Sequence, residues 1–471
     1  MNKITSLSKK LKEFFNEKAD KISITTRFIK RKRKLKGSSF VKAMVLGNIG
    51  VDNCSVETMC QLLNEDSIDI TKQGLDFRFT EEAVEFMKRM YNESVLLFKN
   101  ILQVDCKILQ QFNSVKLLDS SYITLPNSME EMYKGYGTSY SGYESNTKSG
   151  IKLQLVFDYM NQIIDQLNLT EGVRSDQGYR KHLSNILSND LLISDLGYFV
   201  PSSFKQINEI GAYFISRYKS DTNIYDVETN QKMELLECLE DKLFLENEVL
   251  LGKEAKIRVR IICQKLTEEQ SMARRRKANR LARSQGYTSS KRNQKLLNWS
   301  IFITNVPENK ISAEQVLTIY RVRWQIELLF KLYKSHIRLD KLKGKPCRVL
   351  CELYAKLCAI LIFHGIVGCT EVKKNTELSL TKAFIELKRR VIELFLALKN
   401  KVNSLKVFLK KLTITWSRFS LKDKYRKTRV STLTSLNLLT ISELDAYAFL
   451  NIPNEKRKTR FNFLFYLRFI Y

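Results

Sequence analysis

The chain has 471 residues and carries 79 Lys and Arg against 50 Asp and Glu, a formal net charge of +29. With 44% apolar residues it can bury a core, so it is not a disordered basic tail, and such a charge excess points to a polyanionic partner. Nine cysteines without a CxxC pair and three histidines (His182, His336, His364) support neither a zinc cluster nor a disulfide framework, and imply reduced thiols.

The start, MNKITSLSKKLKEFF, has no apolar h-region and does not read as a secretory signal. The first hundred residues read as helical, with turn signals at Gly47, Gly50 and Gly74. Two basic clusters stand there, Lys9 to Lys12 and RFIKRKRKLK at 27–36. The second, centred on Arg31, Lys32 and Arg33, is expected to lie as a helix against a phosphate backbone. From Val115 the pattern changes to strands at 115–119, 151–160 and 162–169, the last two forming a hairpin around Asn161. A Gly/Ser/Tyr-rich loop fills 133–150. A polar helix (176–188), a strand (191–195), a helix (203–210) and a strand (212–218) follow, which together describe a mixed α/β sheet. Residues 219–310 add strands at 258–266 and 299–306. Between these lies a very basic stretch, 272–292, whose run Arg274, Arg275, Arg276 and Lys277 is expected to meet DNA phosphates. Beyond a helix around 320–334 come helices at 348–368 and 377–411 and a basic, aromatic tail at 455–471. The most apolar run, 357–369, is too short to span a bilayer and fits a buried helix, so no membrane is expected as a partner.

Chemistry concentrates in three carboxylates. Asp119 closes the strand 115–119 and Asp195 closes 191–195, each before a loop. Joined by Glu327 from a helix, they can hold two divalent cations about 4 Å apart, an arrangement suited to phosphodiester chemistry. Asp190, at a helix end where it reads as a cap, and Asp158, inside a strand, are the second and third choices for a ligand. On the helix, Tyr320, Arg323, Glu327 and Lys334 fall within one arc of about 60°. Val322, Ile326, Leu328, Leu329, Leu332 and Tyr333 lie opposite, and Trp324 beside the arc is expected to pack. Arg323 and Lys334 suit phosphate oxygens rather than metal. The plainer reading is an Arg323–Glu327 pair on a solvated face.

The spacing Tyr-x2-Arg-x3-Glu-x6-Lys resembles the signature of DDE transposases encoded by a large group of bacterial insertion sequences. Asp119-Ser120-Ser121, followed by Leu125-Pro126, is similar to that group's Asp-Ser-Thr and Leu-Pro, with Ser in the Thr position. Asp195-Leu196-Gly197-Tyr198-Phe199 resembles its Asp-x-Gly-Tyr-Phe motif, and ITKQGLDFRF (70–79) its N-terminal region. Asp195 follows Asp119 by 76 positions and Glu327 follows Asp195 by 132, the long second gap holding the extra strands as in this group.

The resemblance implies an α/β fold in which an RNase H-like mixed-sheet catalytic core (106–218 and 311–372) is interrupted by a β-rich insertion (219–310). Helical regions flank it: an N-terminal DNA-binding region (1–105) and a C-terminal region (373–471) that could serve dimerisation. It further implies a cut-and-paste transposase, with Asp119, Asp195 and Glu327 binding two Mg²⁺ (Mn²⁺ able to substitute). Tyr320, Arg323 and Lys334 would grip terminal phosphates, Trp299 would stack a flipped base, and the cut ends would pass through hairpins. The implied partners are double-stranded DNA, as terminal inverted repeats and target, and a second copy of the chain, in the bacterial cytoplasm on the nucleoid. A catalytically silent, transposase-derived DNA-binding or inhibitory protein is the alternative, and a structure-directed nuclease is a nearer one.

Overall fold

The computed structural model describes residues 3–31, 34–97, 108–136, 148–161, 163–284, 286–373 and 376–422. Its N-terminal helices are α1 (Lys3–Glu13), α2 (Ala19–Thr25), α3 (Gly37–Gly50), α4 (Val56–Glu65), α5 (Lys72–Asp76) and α6 (Glu81–Leu97). Gly47 and Gly50, expected in a turn, lie inside α3, which is buried from Gly37 to Ile49. There the missing side chain serves packing, since a Cβ at Gly47 would fall 2.5 Å from Cys54 Sγ. The described residues of the basic segment at 27–36 form a connection between α2 and α3 rather than a helix. Arg27 turns it at φ 58°, and Phe28 pins it by stacking on Phe86 at 5.1 Å. Arg31 is exposed, whereas Lys32 and Arg33 lie outside the described residues.

Ten strands make one sheet: β1 (Val115–Leu125), β2 (Ser149–Asp158), β3 (Ile163–Glu171), β4 (Leu191–Ser194), β5 (Tyr213–Arg217), β6 (Ile224–Tyr225), β7 (Lys232–Met233), β8 (Phe244–Leu251), β9 (Ile257–Lys265) and β10 (Trp299–Thr304). Their order is β3-β2-β1-β4-β5-β10-β9-β8-β6-β7. β1, β2 and β3 pair antiparallel, and β1 with β4 and β4 with β5 pair parallel. β2 is buried at every position, as a central strand covered on both faces must be. The segment 219–310 extends the core sheet instead of standing apart from it, because Phe302 of β10 pairs with Arg217 on one side and Ile262 on the other. The polar stretch at 176–188 is not an α-helix. Its Ser, Asp, Gly and Asn residues favour turns, and it forms two 3₁₀ turns, Asp176–Gly178 and Lys181–Asn185.

The remaining helices are α7 (Pro201–Glu209), α8 (Leu235–Cys238), α9 (Glu268–Ser284), α10 (Lys291–Leu296), α11 (Ala313–Tyr320), α12 (Trp324–His336), α13 (Pro346–Val367), α14 (Leu380–Arg389), α15 (Val391–Lys399) and α16 (Val402–Phe419). The single helix expected over 377–411 is thus divided among α14, α15 and α16. At 22 residues α13 is long and apolar enough to cross a membrane, yet its apolar window is wholly buried in the fold. It is the axis of a core that runs from Leu7 and Leu11 of α1 through one face of the sheet to Leu409 and Trp416 of α16. Lys12 completes that closure by donating its ammonium hydrogens to the carbonyls of Leu398 and Asn400. A second core on the other sheet face gathers Leu118, Leu192, Phe204 and Ile303. The tail at 455–471 lies outside the described residues.

Candidate active site

The parallel ladder between β1 and β4 ends at the pair Leu118–Ser194. Asp119 and Asp195 are therefore the next residues on two neighbouring strands, and this adjacency follows from the register alone. Contrary to expectation, Asp119 does not close its strand; β1 continues to Leu125 through its pairing with β2, where Asp119 faces Leu155. What ends there is the parallel pairing, not the strand. Alternation puts Asp119 on the same face as Val115 and Leu117, which pack in the core beneath α12 and α13.

The expected continuous helix is broken: α11 ends at Tyr320, Arg321–Arg323 form a 3₁₀ turn, and α12 begins at Trp324. Tyr320, Arg323 and Glu327 still converge on the strand ends. Arg323 Nη2 lies 2.6 Å from Glu327 Oε1 and its Nη1 lies 3.7 Å from Asp119 Oδ2, with the arginine side chain only 15% exposed. Tyr320 is buried beside Phe302 and donates its hydroxyl hydrogen to the Ser194 carbonyl at 3.5 Å. Burial pushes its phenol up to about 12. It is thus a strut behind Asp195 rather than an open phosphate grip. Lys334 is half-buried two turns beyond Glu327, and burial lowers its ammonium from the ordinary value against the opposing pull of Asp340.

Among the described residues no group of three carboxylates, histidines or cysteines stands close enough to hold a metal ion as it is. The reason is local: a guanidinium stands between Asp119 and Glu327 where a cation would sit. The donor set nonetheless fits a hard divalent ion, being carboxylates, two of which already share the Arg323 guanidinium. Burial raises Asp119 from 3.8 to about 7, and the negative charges of Asp195 and Glu327 add to the rise, while the Ser120 amide and Arg323 oppose it. Between those two values the folded protein holds a proton that the unfolded chain has released. The metal-free fold therefore loses stability as pH rises through that window. A divalent cation held by Asp119 would compete with this proton, so its affinity, measured by titration calorimetry, should climb as pH rises toward about 7 and level off above it.

Other expected residues fall elsewhere. Trp299 is 7% exposed within the second core, which leaves its ring little free face for a base, so the stacking expected of it is corrected to packing. Trp324, expected to pack, is instead 55% exposed, and Leu328, expected on the buried side, is 42% exposed. Arg274 is spent inside the fold, donating to the Trp299 carbonyl at 3.0 Å and to Ser300 Oγ at 2.9 Å, and Arg275 pairs with Glu268 at 2.7 Å. Arg276 and Lys277 of that run are exposed. Asp190 is 3.1 Å from Lys116 and accepts from the Leu187 amide, while Asp158 accepts from Asn161, so both secondary candidates serve turns and ion pairs. Sequence reasoning passed over Lys152, Gln154 and Asp176, which meet beneath the strand ends. The available signal was a lysine and a glutamine two apart on one face of an otherwise apolar strand.

A family model described as Transposase DDE domain matches residues 110–362, more than half of the chain and inclusive of all three carboxylates. The transposase of insertion sequence element IS1151 from Clostridium perfringens is 29% identical over 94% of this chain and 98% of its own length. That of element IS231D from Bacillus thuringiensis subsp. finitimus is 26% identical over 87% of this chain and 91% of its own. Among solved structures, a piggyBac transposase synaptic complex with hairpin DNA aligns over 96% of this chain and 83% of that one, at 12% identity and a TM-score of 0.40.

Proposed function

Because the chain belongs to the transposase DDE domain family, we propose that it cuts and joins the ends of its own insertion sequence by phosphodiester hydrolysis and strand transfer. The observation that carries this reading is one guanidinium bridging Asp119 and Glu327 at the end of the β1–β4 ladder, with Asp195 the next residue on the neighbouring strand and its charge acting on the same arginine. The strand order β3-β2-β1-β4-β5, with β4 and β5 parallel to β1, supports an RNase H-like core. The Tyr-x2-Arg-x3-Glu-x6-Lys spacing supports membership of the insertion-sequence group that carries that signature.

Asp119, Asp195 and Glu327 would hold two Mg²⁺ ions, with Mn²⁺ able to substitute. Once bound, such ions supply a Lewis acid that activates the attacking oxygen and neutralises the departing one. Water hydrolysis frees a 3′-hydroxyl at the element end. This hydroxyl attacks the opposite strand to leave a hairpin, a second hydrolysis opens it, and the 3′ ends attack target DNA. Arg323, once released from the carboxylates, grips a terminal phosphate through its planar fork. Lys334, about 16 Å further along α12, takes another. Trp324 lies three positions before Glu327 on the same helix surface and offers the exposed ring that Trp299 does not. Two copies synapse the two ends, with α14, α15 and α16 contributing, in the bacterial cytoplasm on the nucleoid.

Of the described basic residues expected to meet phosphate, Arg31, Arg276 and Lys277 are exposed. Replacing Arg276 and Lys277 with Ala should flatten the slope of log affinity against log salt by about two. Replacing Arg274 should lower thermal stability and leave that slope where it was, because its hydrogen bonds are internal.

The function is tested by incubating purified protein with DNA that carries the element's inverted repeats, in Mg²⁺. The expected products are 3′-hydroxyl ends, hairpins and target joints. Cleavage that ignores the repeats would make the protein a nuclease, and binding without cleavage a silent derivative.

A further inference from the structure

Asp176 begins the first of the two 3₁₀ turns after β3, and a single oxygen of its carboxylate gathers three donors. Ser120 Oγ donates to Oδ1 at 3.0 Å, Lys152 Nζ at 3.2 Å and Gln154 Nε2 at 3.2 Å. Gln154, fully buried, in turn accepts the hydroxyl hydrogen of Tyr198 on its Oε1. These partners come from both strand ends of the candidate site. Ser120 directly follows Asp119, and its amide donates to Asp119 Oδ1 at 2.8 Å. Tyr198 ends the 3₁₀ turn capped by Asp195, and its amide donates to the Asp195 carbonyl at 3.0 Å. The two turns touch: a Cβ added at Gly197 would lie 3.6 Å from Asp176 Oδ2.

We propose that Asp176 is a positioning residue that sets the separation of Asp119 and Asp195 from the opposite face of the sheet. One branch runs through Ser120 to the Asp119 carboxylate, the other through Gln154 and Tyr198 to the turn that carries Asp195. Asp176 itself touches neither metal nor DNA. Its charge is balanced by Lys152, whose ammonium is further held by the Arg174 carbonyl at 2.8 Å. Without the carboxylate, the ammonium and the Gln154 amide lose their shared acceptor, and the two branches are no longer tied to one atom. Hydrogen-bond partners one shell out from metal ligands typically carry about 10–100-fold in metal affinity.

This inference rests on the reading of Asp119 and Asp195 as metal ligands, and its test separates the two. Mn²⁺ is titrated by calorimetry into the full-length protein without DNA, alongside melting curves and end-DNA binding in metal-free buffer. Asp176→Ala should weaken Mn²⁺ binding by about 10–100-fold while leaving end-DNA binding unchanged. Asp176→Asn, which keeps an acceptor oxygen in the same place, should recover most of the loss, and excess Mn²⁺ should restore end cleavage by Asp176→Ala. Wild-type Mn²⁺ affinity in a folded Asp176→Ala protein would overturn the proposal. Should that variant not fold, the Ser120→Ala, Tyr198→Phe double variant cuts both branches, and wild-type affinity there overturns the proposal equally. Asp119→Asn is the control. If it too binds Mn²⁺ as wild type does, the ligand reading fails and the proposal falls with it.

Discussion

Asp119→Asn, Asp195→Asn and Glu327→Gln should each reduce Mg²⁺-dependent end cleavage by more than about a thousandfold, beyond about 4 kcal/mol of transition-state stabilisation. End-DNA binding should survive in all three, because none of the carboxylates is itself a phosphate contact and each substitution removes a negative charge. The loss follows from the donor set: an amide oxygen carries no charge, so each substitution removes a third of the negative charge available to two dications. One of the three should also become a more stable protein. Asp119 is buried beside two like charges and has its carboxyl raised to about 7, so at pH 8 the fold carries an ionised group that it disfavours. Asp119→Asn should raise the melting temperature of the metal-free protein at pH 8, and the gain should vanish at pH 5, where the carboxyl is already protonated. Such a trade of stability for chemistry is common at sites built to bind charge. Near-normal cleavage by any of the three would remove that residue from the ligand set.

Arg323→Ala should move two properties in opposite directions. From the sequence this arginine is expected to be irrelevant to metal and needed only for DNA. In the structure it bridges Glu327 and Asp119, and its buried Nε has no acceptor. A guanidinium so placed competes with a cation for the same carboxylates and remains partly unsatisfied, ready for a better anion. Removing it should therefore raise the Mn²⁺ affinity of the DNA-free protein about tenfold, the scale of one charge-assisted hydrogen bond of about 1.5 kcal/mol. Hairpin formation on a pre-nicked end should fall by roughly ten- to a hundredfold in single-turnover kinetics, since a terminal phosphate loses its partner. Arg323→Lys should keep the competition but not the grip, because an ammonium cannot span two phosphate oxygens. Unchanged metal affinity together with unchanged hairpin rates would reduce the Arg323–Glu327 contact to an ordinary helix pair.

What could be read in advance followed the local code. Apolar runs marked β2, β4, β5, β9 and β10 to within a few residues, and the motif spacing selected Asp119, Asp195 and Glu327 for the site. What could not be read depended on partners distant in sequence. Asp119 looked like a strand end because its neighbours turn polar, but pairing with β2 carries the strand six residues further. β8 escaped because Glu246 and Glu248 break its apolar run, although both are held by arginines of β9. Trp299 and Trp324 exchanged burial because a lone tryptophan carries no sign of which side of a helix or sheet will be covered. Arg274 read as part of a charge run, and only the fold reveals that it is an internal donor.

The closure of α1 onto α15 and α16 bears on what damaged copies of such a gene could produce. Leu7 and Leu11 belong to the same core as Leu409 and Trp416, and Lys12 is tied to the carbonyls of Leu398 and Asn400. A polypeptide stopped between α13 and Val402 would leave α1 without the α16 surface it packs on, although Asp119, Asp195 and Glu327 had all been synthesised. Such a fragment exposes apolar surface and is a substrate for proteolysis rather than a stable rival for the DNA ends. The architecture thereby discourages dominant-negative fragments, and interference with the intact enzyme is left to full-length chains altered at single residues.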